Sequence, residues 1–202
     1  MEKSELMLRV ALTGGAATGK SHVLNEFRKR GIPCLVADEL AHGVMAAGTE
    51  ATAAIAARFG VDVLAPDGSV NREALAPIVF ADDAARRELE ALVHPAVYRA
   101  IQAGLRAFEK IEGSPLAVVE IPLLYETGHA KDFDRVIVTA CAEETQLARL
   151  VARGLSETRA RQVLAAQKPT AEKAAQADYV IETGGAKADT DAQVLNILKQ
   201  LR

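Results

Sequence analysis

The chain has 202 residues, with 24 Lys and Arg against 27 Asp and Glu, a formal net charge of −3, half of its residues hydrophobic and a quarter charged. That length suits one medium domain with inserts, and the balance is that of a globular protein whose abundant alanine favours helix. A pI near 5.9 excludes a protein that holds duplex nucleic acid through bulk positive charge, and no run of about 18 apolar residues, as a membrane span needs, occurs.

Met1–Leu6 carries two Glu and one Lys and lacks the apolar stretch of a signal peptide, so a cytoplasmic protein is expected. The aliphatic run Leu8–Leu12 predicts a buried strand that feeds directly into Thr13-Gly14-Gly15-Ala16-Ala17-Thr18-Gly19-Lys20-Ser21. A helix follows: Val23, Leu24 and Phe27 give it an apolar face, Arg28, Lys29 and Arg30 complement its C-terminal dipole, and Gly31 stops it. Cys34–Ala37 reads as a second strand, ending at Asp38. Neither Cys34 nor Cys141 has CxxC spacing or a nearby His, so neither a disulfide framework nor a zinc site is expected.

Between His42 and Gly113 no buried strand is evident, and Leu89, Val93, Val97, Ile101, Leu105 and Phe108 keep a helical stripe. This predicts a helical insert with turns at Phe59-Gly60 and Asp67-Gly68, and with Pro95 starting or bending a helix after His94. Leu116–Ile121, Arg135–Ala140 and Tyr179–Glu182 are further strands, whereas 152–177 is polar, helical and strandless. Strands alternating with helices predict an α/β chain built on a parallel sheet with helices on both faces.

Gly14-x-x-x-x-Gly19-Lys20-Ser21 matches the P-loop pattern between a strand and a helix. There the backbone N–H groups from Gly14 to His22 and the helix N-terminus face phosphate oxygens, Lys20 reaches the β and γ phosphates, and Ser21 holds Mg²⁺ that arrives with ATP. Asp38, at the sheet edge where open α/β folds place ligands, suits a base for an attacking hydroxyl, and equally suits a helix N-cap. Arg149, Arg153, Arg159, Arg161, Lys168 and Lys173 are opposed only by Glu157 and Glu172, which leaves 149–173 positive by four. A basic lid over polyphosphate needs such charge, and a solvated helix face carries it too. Glu126 suits a place facing substrate or the Mg²⁺ shell, or a cap before Gly128. His22, His42, His94 and His129 are dispersed without an HxxxH pair or a carboxylate at ligand spacing, so no metal cage made by the protein is predicted.

Further residues recur in a recognisable order: Ala11-Leu12-Thr13 entering the loop, Ala37-Asp38, Asp67-Gly68 followed by Arg72 and Leu75, and Val79-Phe80. Leu89 to His94-Pro95, Ile121-Pro122-Leu123-Leu124 with Glu126, Arg149 and Arg153, Gln167 and Ala177-Asp178 complete the set. Over Val10 to about Asp178 the sequence resembles the dephospho-coenzyme A kinase family. The resemblance implies a P-loop kinase core like that of nucleoside monophosphate kinases in 1–41, 114–151 and 178–202, a helical domain for the CoA-type substrate in 42–113, and a helical lid in 152–177. It implies ATP-dependent phosphorylation of the ribose 3′-hydroxyl of dephospho-CoA to give coenzyme A and ADP, by a monomer or weak homo-oligomer. Asp38 is then the base, and Arg149 and Arg153 contact phosphates or adenine from the lid side.

Four positions depart from the family pattern. Val36 replaces an Asp, so any role of that carboxylate near Mg²⁺ is absent here or taken by another group such as Glu120. His22 stands for Thr, Thr183 for Asn, and Gly154 follows Arg153. The alternative is another small-metabolite P-loop kinase acting on a nucleoside monophosphate or a shikimate-like acceptor, which shares Lys20 and Asp38. A GTPase-like switch needs Asn-Lys-x-Asp after a strand, and the chain has none.

Overall fold

The computed structural model describes residues 7–112 and 114–201; Met1–Leu6, read above for a signal peptide, and Gly113 lie outside them. The described chain divides into two compact units, one made of residues up to Leu35 together with those from Ala107 onward, the other of Val36–Arg106.

The sheet has five strands, β1 Leu8–Gly14, β2 Cys34–Val36, β3 Leu116–Glu120, β4 Arg135–Ala140 and β5 Tyr179–Glu182, in the order β2-β3-β1-β4-β5, and all but Val36 at the end of β2 belong to the first unit. The pairings of β1 with β3 and β4, and of β4 with β5, are parallel. Every residue of β3 is buried, and so is β4 after its first residue; such continuous aliphatic runs are what a strand covered on both faces requires. At the edge, β5 alternates and buries only Ile181. Helix α1, Lys20–Lys29, packs Val23, Leu24 and Phe27 against β1 and β3.

The second unit holds α2 Ala37–Val44, α3 Glu50–Phe59, α4 Arg72–Ala81 and most of α5 Asp83–Ala107. Its core gathers Met45, Ile55, Val63, Val70 and Leu75, with Leu89, Leu92 and Val93 of α5 packed on them. Thr49 and Asn71 cap α3 and α4 with side-chain oxygens. The turn at Asp67-Gly68 forms as expected: Asp67 Oδ1 accepts from the backbone N–H and the hydroxyl of Ser69, and Gly68 takes φ 83°. It closes an antiparallel bridge between Leu64 and Val70, a small piece of β structure inside the helical insert.

Two boundaries differ from expectation. The second strand stops at Val36, because Ala37 and Asp38 already belong to α2. Pro95 does not start a helix; it lies inside α5, which runs through it for 25 residues. Burial of Val97, Ile101 and Leu105 beyond the proline holds the helix together where one backbone donor is lost. It ends in a π-helical turn, Phe108–Glu112.

The remaining helices belong to the first unit: α6 Glu143–Ala152, α7 Glu157–Ala165, α8 Thr170–Ala174 and α9 Lys187–Gln200. Among the described residues no helix is long and apolar enough to cross a membrane.

Candidate active site

β1 ends at Gly14, and five residues later Gly19, with φ 86°, opens α1. Between them the chain turns sharply enough to hold Ala17 at φ 58°. The carbonyls explain how this shape is kept. Lys20 Nζ donates to Gly14 O at 3.1 Å and to Gly15 O at 2.9 Å, and Thr18 Oγ1 donates to Gly15 O at 2.8 Å. Gln146 Nε2 donates to Ala16 O at 2.7 Å, Arg149 Nη1 to Ala17 O at 3.1 Å, and Thr183 Oγ1 to Thr18 O at 2.7 Å. Five consecutive carbonyls are thus engaged by side chains. The N–H groups of Ala16, Ala17 and Gly19 have no acceptor among the described residues. A backbone with its oxygens tied back and its donors unspent, running into a helix N-terminus, is built to take an anion.

Close packing around the loop accounts for two of its glycines. A Cβ on Gly14 would run into Thr139 Oγ1, and one on Gly15 into Thr170 Oγ1 and Gln146 Nε2. Thr139 and Thr18 are fully buried and share a 2.7 Å hydrogen bond, which anchors the loop to the end of β4.

Arg149, on α6, does more than face the loop. Its Nη2 donates to Thr183 O at 2.5 Å, and Thr183 Oγ1 also donates to Ala140 O at 3.1 Å. This ties α6, the loop and the segment after β5 into one frame. Arg153 is the C-cap residue of α6, is exposed, and offers a guanidinium with no protein partner among the described residues. Ser21 is the second residue of α1 and is exposed. Glu120, 8 % exposed, closes β3 and pairs in register with Leu12 of β1, two residues before Gly14.

Asp38 belongs to the second unit. It is neither a strand end nor an N-cap: Val36 holds the cap position, and Asp38 is the second residue of α2, exposed, with no side-chain hydrogen bond among the described residues.

The basic stretch is less free than its sequence reads. Lys173 is fully buried; its Nζ lies 2.7 Å from Glu126 Oε1 and donates to Pro122 O at 3.1 Å. Glu126 Oε1 also accepts from the Lys168 N–H at 3.0 Å. Glu126 thus anchors α8 through Oε1, while its Oε2 is buried with no protein partner among the described residues. Although burial opposes its charge, the bonds from Lys173 and the backbone hold its carboxyl below the usual range. Arg161 pairs with Glu157 across one helical turn. A cavity of about 270 Å³ opens between Gly15, Gln146 and Thr170, and Gln167 lines it with a buried Oε1 that has no protein partner among the described residues.

His22 is not isolated, contrary to the reading from spacing. Its Nε2 lies 2.7 Å from Asp191 Oδ1 of α9, and Glu26 is on the same face of α1. Sequence reading also passed over Gln146 and Thr183 as donors to the loop. Gln146 shares a face of α6 with Arg149, three residues on, and that spacing was a usable signal.

A sequence model of the dephospho-CoA kinase family matches residues 8–189. The chain is 44% identical over 194 residues to a dephospho-CoA kinase of Anaeromyxobacter dehalogenans, covering 96% of this chain and 92% of that one. It is 42% identical over 192 residues to one of Shouchella clausii, covering 95% and 97%. Its fold is similar to that of the solved Thermus thermophilus protein TT1252, with a TM-score of 0.82 at 31% identity over 97% of this chain and 98% of that one. The dephospho-CoA kinase of Campylobacter jejuni superposes with a TM-score of 0.72 at 26% identity over 96% of each chain.

Proposed function

The chain belongs to the dephospho-CoA kinase family, and on that premise we propose the reaction it performs: transfer of the γ-phosphoryl group of ATP to the ribose 3′-hydroxyl of dephospho-CoA, giving coenzyme A and ADP. The observation that carries this is the loop between β1 and α1, with five carbonyls held back and the N–H groups of Ala16, Ala17 and Gly19 open, in a chain that aligns with the family almost end to end.

Each residue then has a task. The N–H groups of the loop from Gly14 to His22 bind the ATP phosphates. Lys20, now folded onto Gly14 O and Gly15 O, exchanges those weak acceptors for the β and γ phosphates, where its charge offsets what builds up during transfer. Arg149 is already oriented by Ala17 O and Thr183 O and supports the phosphate side of the nucleotide without reorganising. Arg153 supplies a mobile cation. Two oxygen donors beside the loop, the Ser21 hydroxyl and the Glu120 carboxylate, are the ligand chemistry a hard cation takes. Mg²⁺ held there neutralises phosphate charge when bound. Asp38 accepts the proton of the attacking 3′-hydroxyl, and its exposed carboxylate on the first turn of α2 is unspent for that work.

This reading divides the chain into a nucleotide core (1–41, 114–151 and 178–202), a helical CoA-substrate domain (42–113) and a lid (152–177), acting in the cytoplasm as a monomer or weak homo-oligomer. An acceptor of the nucleoside monophosphate or shikimate type is not favoured, since family membership covers the insert as well as the loop. The deciding measurement is ADP release with ATP and Mg²⁺ and one acceptor at a time. Turnover with dephospho-CoA, and none with AMP, adenosine or shikimate, is expected; turnover only with one of the latter three overturns the assignment.

A further inference from the structure

On the side of α1 that meets α9 lies a cluster whose side chains phosphoryl transfer does not use. His22 and Glu26 are four residues apart on α1 and so stand on one face; Asp191 comes from α9, which packs against it. The candidate ligand atoms of the three residues lie within 4.8 Å of one another. Glu26 is 4 % exposed, and its neighbours in the cluster are partly buried.

We propose that His22, Glu26 and Asp191 form a binding site for a divalent transition-metal ion of the Zn²⁺, Co²⁺ and Ni²⁺ class, separate from the Mg²⁺ that accompanies ATP. One imidazole nitrogen with two carboxylates suits borderline ions, whereas Mg²⁺ prefers oxygen and water. Metal–ligand bonds of about 2.0–2.2 Å in a tetrahedral site set the donors about 3.4 Å apart. The candidate ligand atoms span that spacing, from 2.7 Å between His22 Nε2 and Asp191 Oδ1 up to 4.8 Å. Water completes the coordination.

A cation is already drawn to this place. Lys29 Nζ sits 2.6 Å from Glu26 Oε1, and the charge of Asp191 acts on it as well. Its side chain is 68% exposed, so the ammonium can withdraw into water and leave Oε1 to the ion. Arg30 remains on Glu26 Oε2 at 2.6 Å and orients the carboxylate, as outer hydrogen bonds commonly do for metal ligands. Those two pairs, Arg30's first, hold the Glu26 carboxyl down at about 2, so it is ready as an anionic ligand.

Co²⁺ titration of the full chain without nucleotide, followed by visible absorption, tests this, with Zn²⁺ and Mg²⁺ added by calorimetry. One Co²⁺ per chain is expected, displaced by Zn²⁺ but not by about a hundredfold excess of Mg²⁺. Asp191→Ala and the shape-preserving Asp191→Asn should each weaken binding by tenfold or more, with folding checked by circular dichroism. Lys29→Met removes the competing ammonium, adds no ligand, and should tighten binding severalfold. Absence of a Co²⁺ band, affinity indifferent to both Asp191 variants, or no tightening on Lys29→Met overturns the site.

Discussion

Asp38 carries a single predicted task, so its substitution separates chemistry from binding. Asp38→Asn keeps the shape and removes the proton acceptor; kcat should fall by about 10²–10⁴ while ATP affinity holds. Coupled ADP release and calorimetry check the two halves, and normal turnover would show that another group takes the proton. Glu26 gives a pH effect of known sign. Arg30 and Lys29 lower its carboxyl from 4.5 to about 2, so its contribution to stability is complete above about pH 4.5 and fades as pH falls toward 2. The difference in Tm between the wild type and Glu26→Gln should therefore be largest near neutrality and narrow below about pH 4.5. At this scale the sequence was informative where chemistry is local. Gly14 to Ser21 form one contiguous motif, and Asp38 follows a strand. It was silent on the bonds that Thr183 and Asp191 make, because each reaches a partner more than a hundred residues away in the chain, and such a bond leaves no spacing to read.

Among the elements, α8 is the least legible. Its sequence, Thr170–Ala174, reads as part of a mobile basic segment, yet Lys173 is driven into the protein by the Glu126 carboxylate and the Pro122 carbonyl. A lysine is nearly always solvated, so neither composition nor periodicity announces the exception. Removing one member leaves the other charge buried. Lys173→Met should cost about 3 kcal/mol, the low end for removing one partner of a buried ion pair. Urea denaturation measures it, and adding Glu126→Leu should recover much of the loss. Strands were read better than helix ends. Continuous aliphatic runs mark β3 and β4 without ambiguity. The α2 start and the passage of α5 through Pro95 were decided by packing that outweighs local preference.

Across the whole molecule, the net charge of −3 conceals a basic stretch whose free charge is smaller than its count. Lys173 is paired with Glu126 and Arg161 with Glu157. Arg153 and Lys168 remain as exposed cations whose side chains have no protein partner among the described residues. The KM for ATP should accordingly rise only modestly between about 0.05 and 0.5 M salt, and the Arg153→Ala, Lys168→Ala double variant should flatten that dependence. A steep dependence that survives both substitutions would locate the attraction elsewhere.

The chain order of the sheet sets a timetable for biosynthesis. β1 lies at the centre of the sheet, but both of its neighbours, β3 and β4, begin beyond residue 115. At ribosomal rates of about 5–20 residues per second, β1 therefore waits roughly 5–20 s for its first partner strand. During that interval all of 36–106 emerges with its own apolar core complete. The insert is thus placed to fold ahead of the sheet that frames it in sequence, while an aliphatic strand stands unpaired and is the part of the nascent chain most in need of a chaperone.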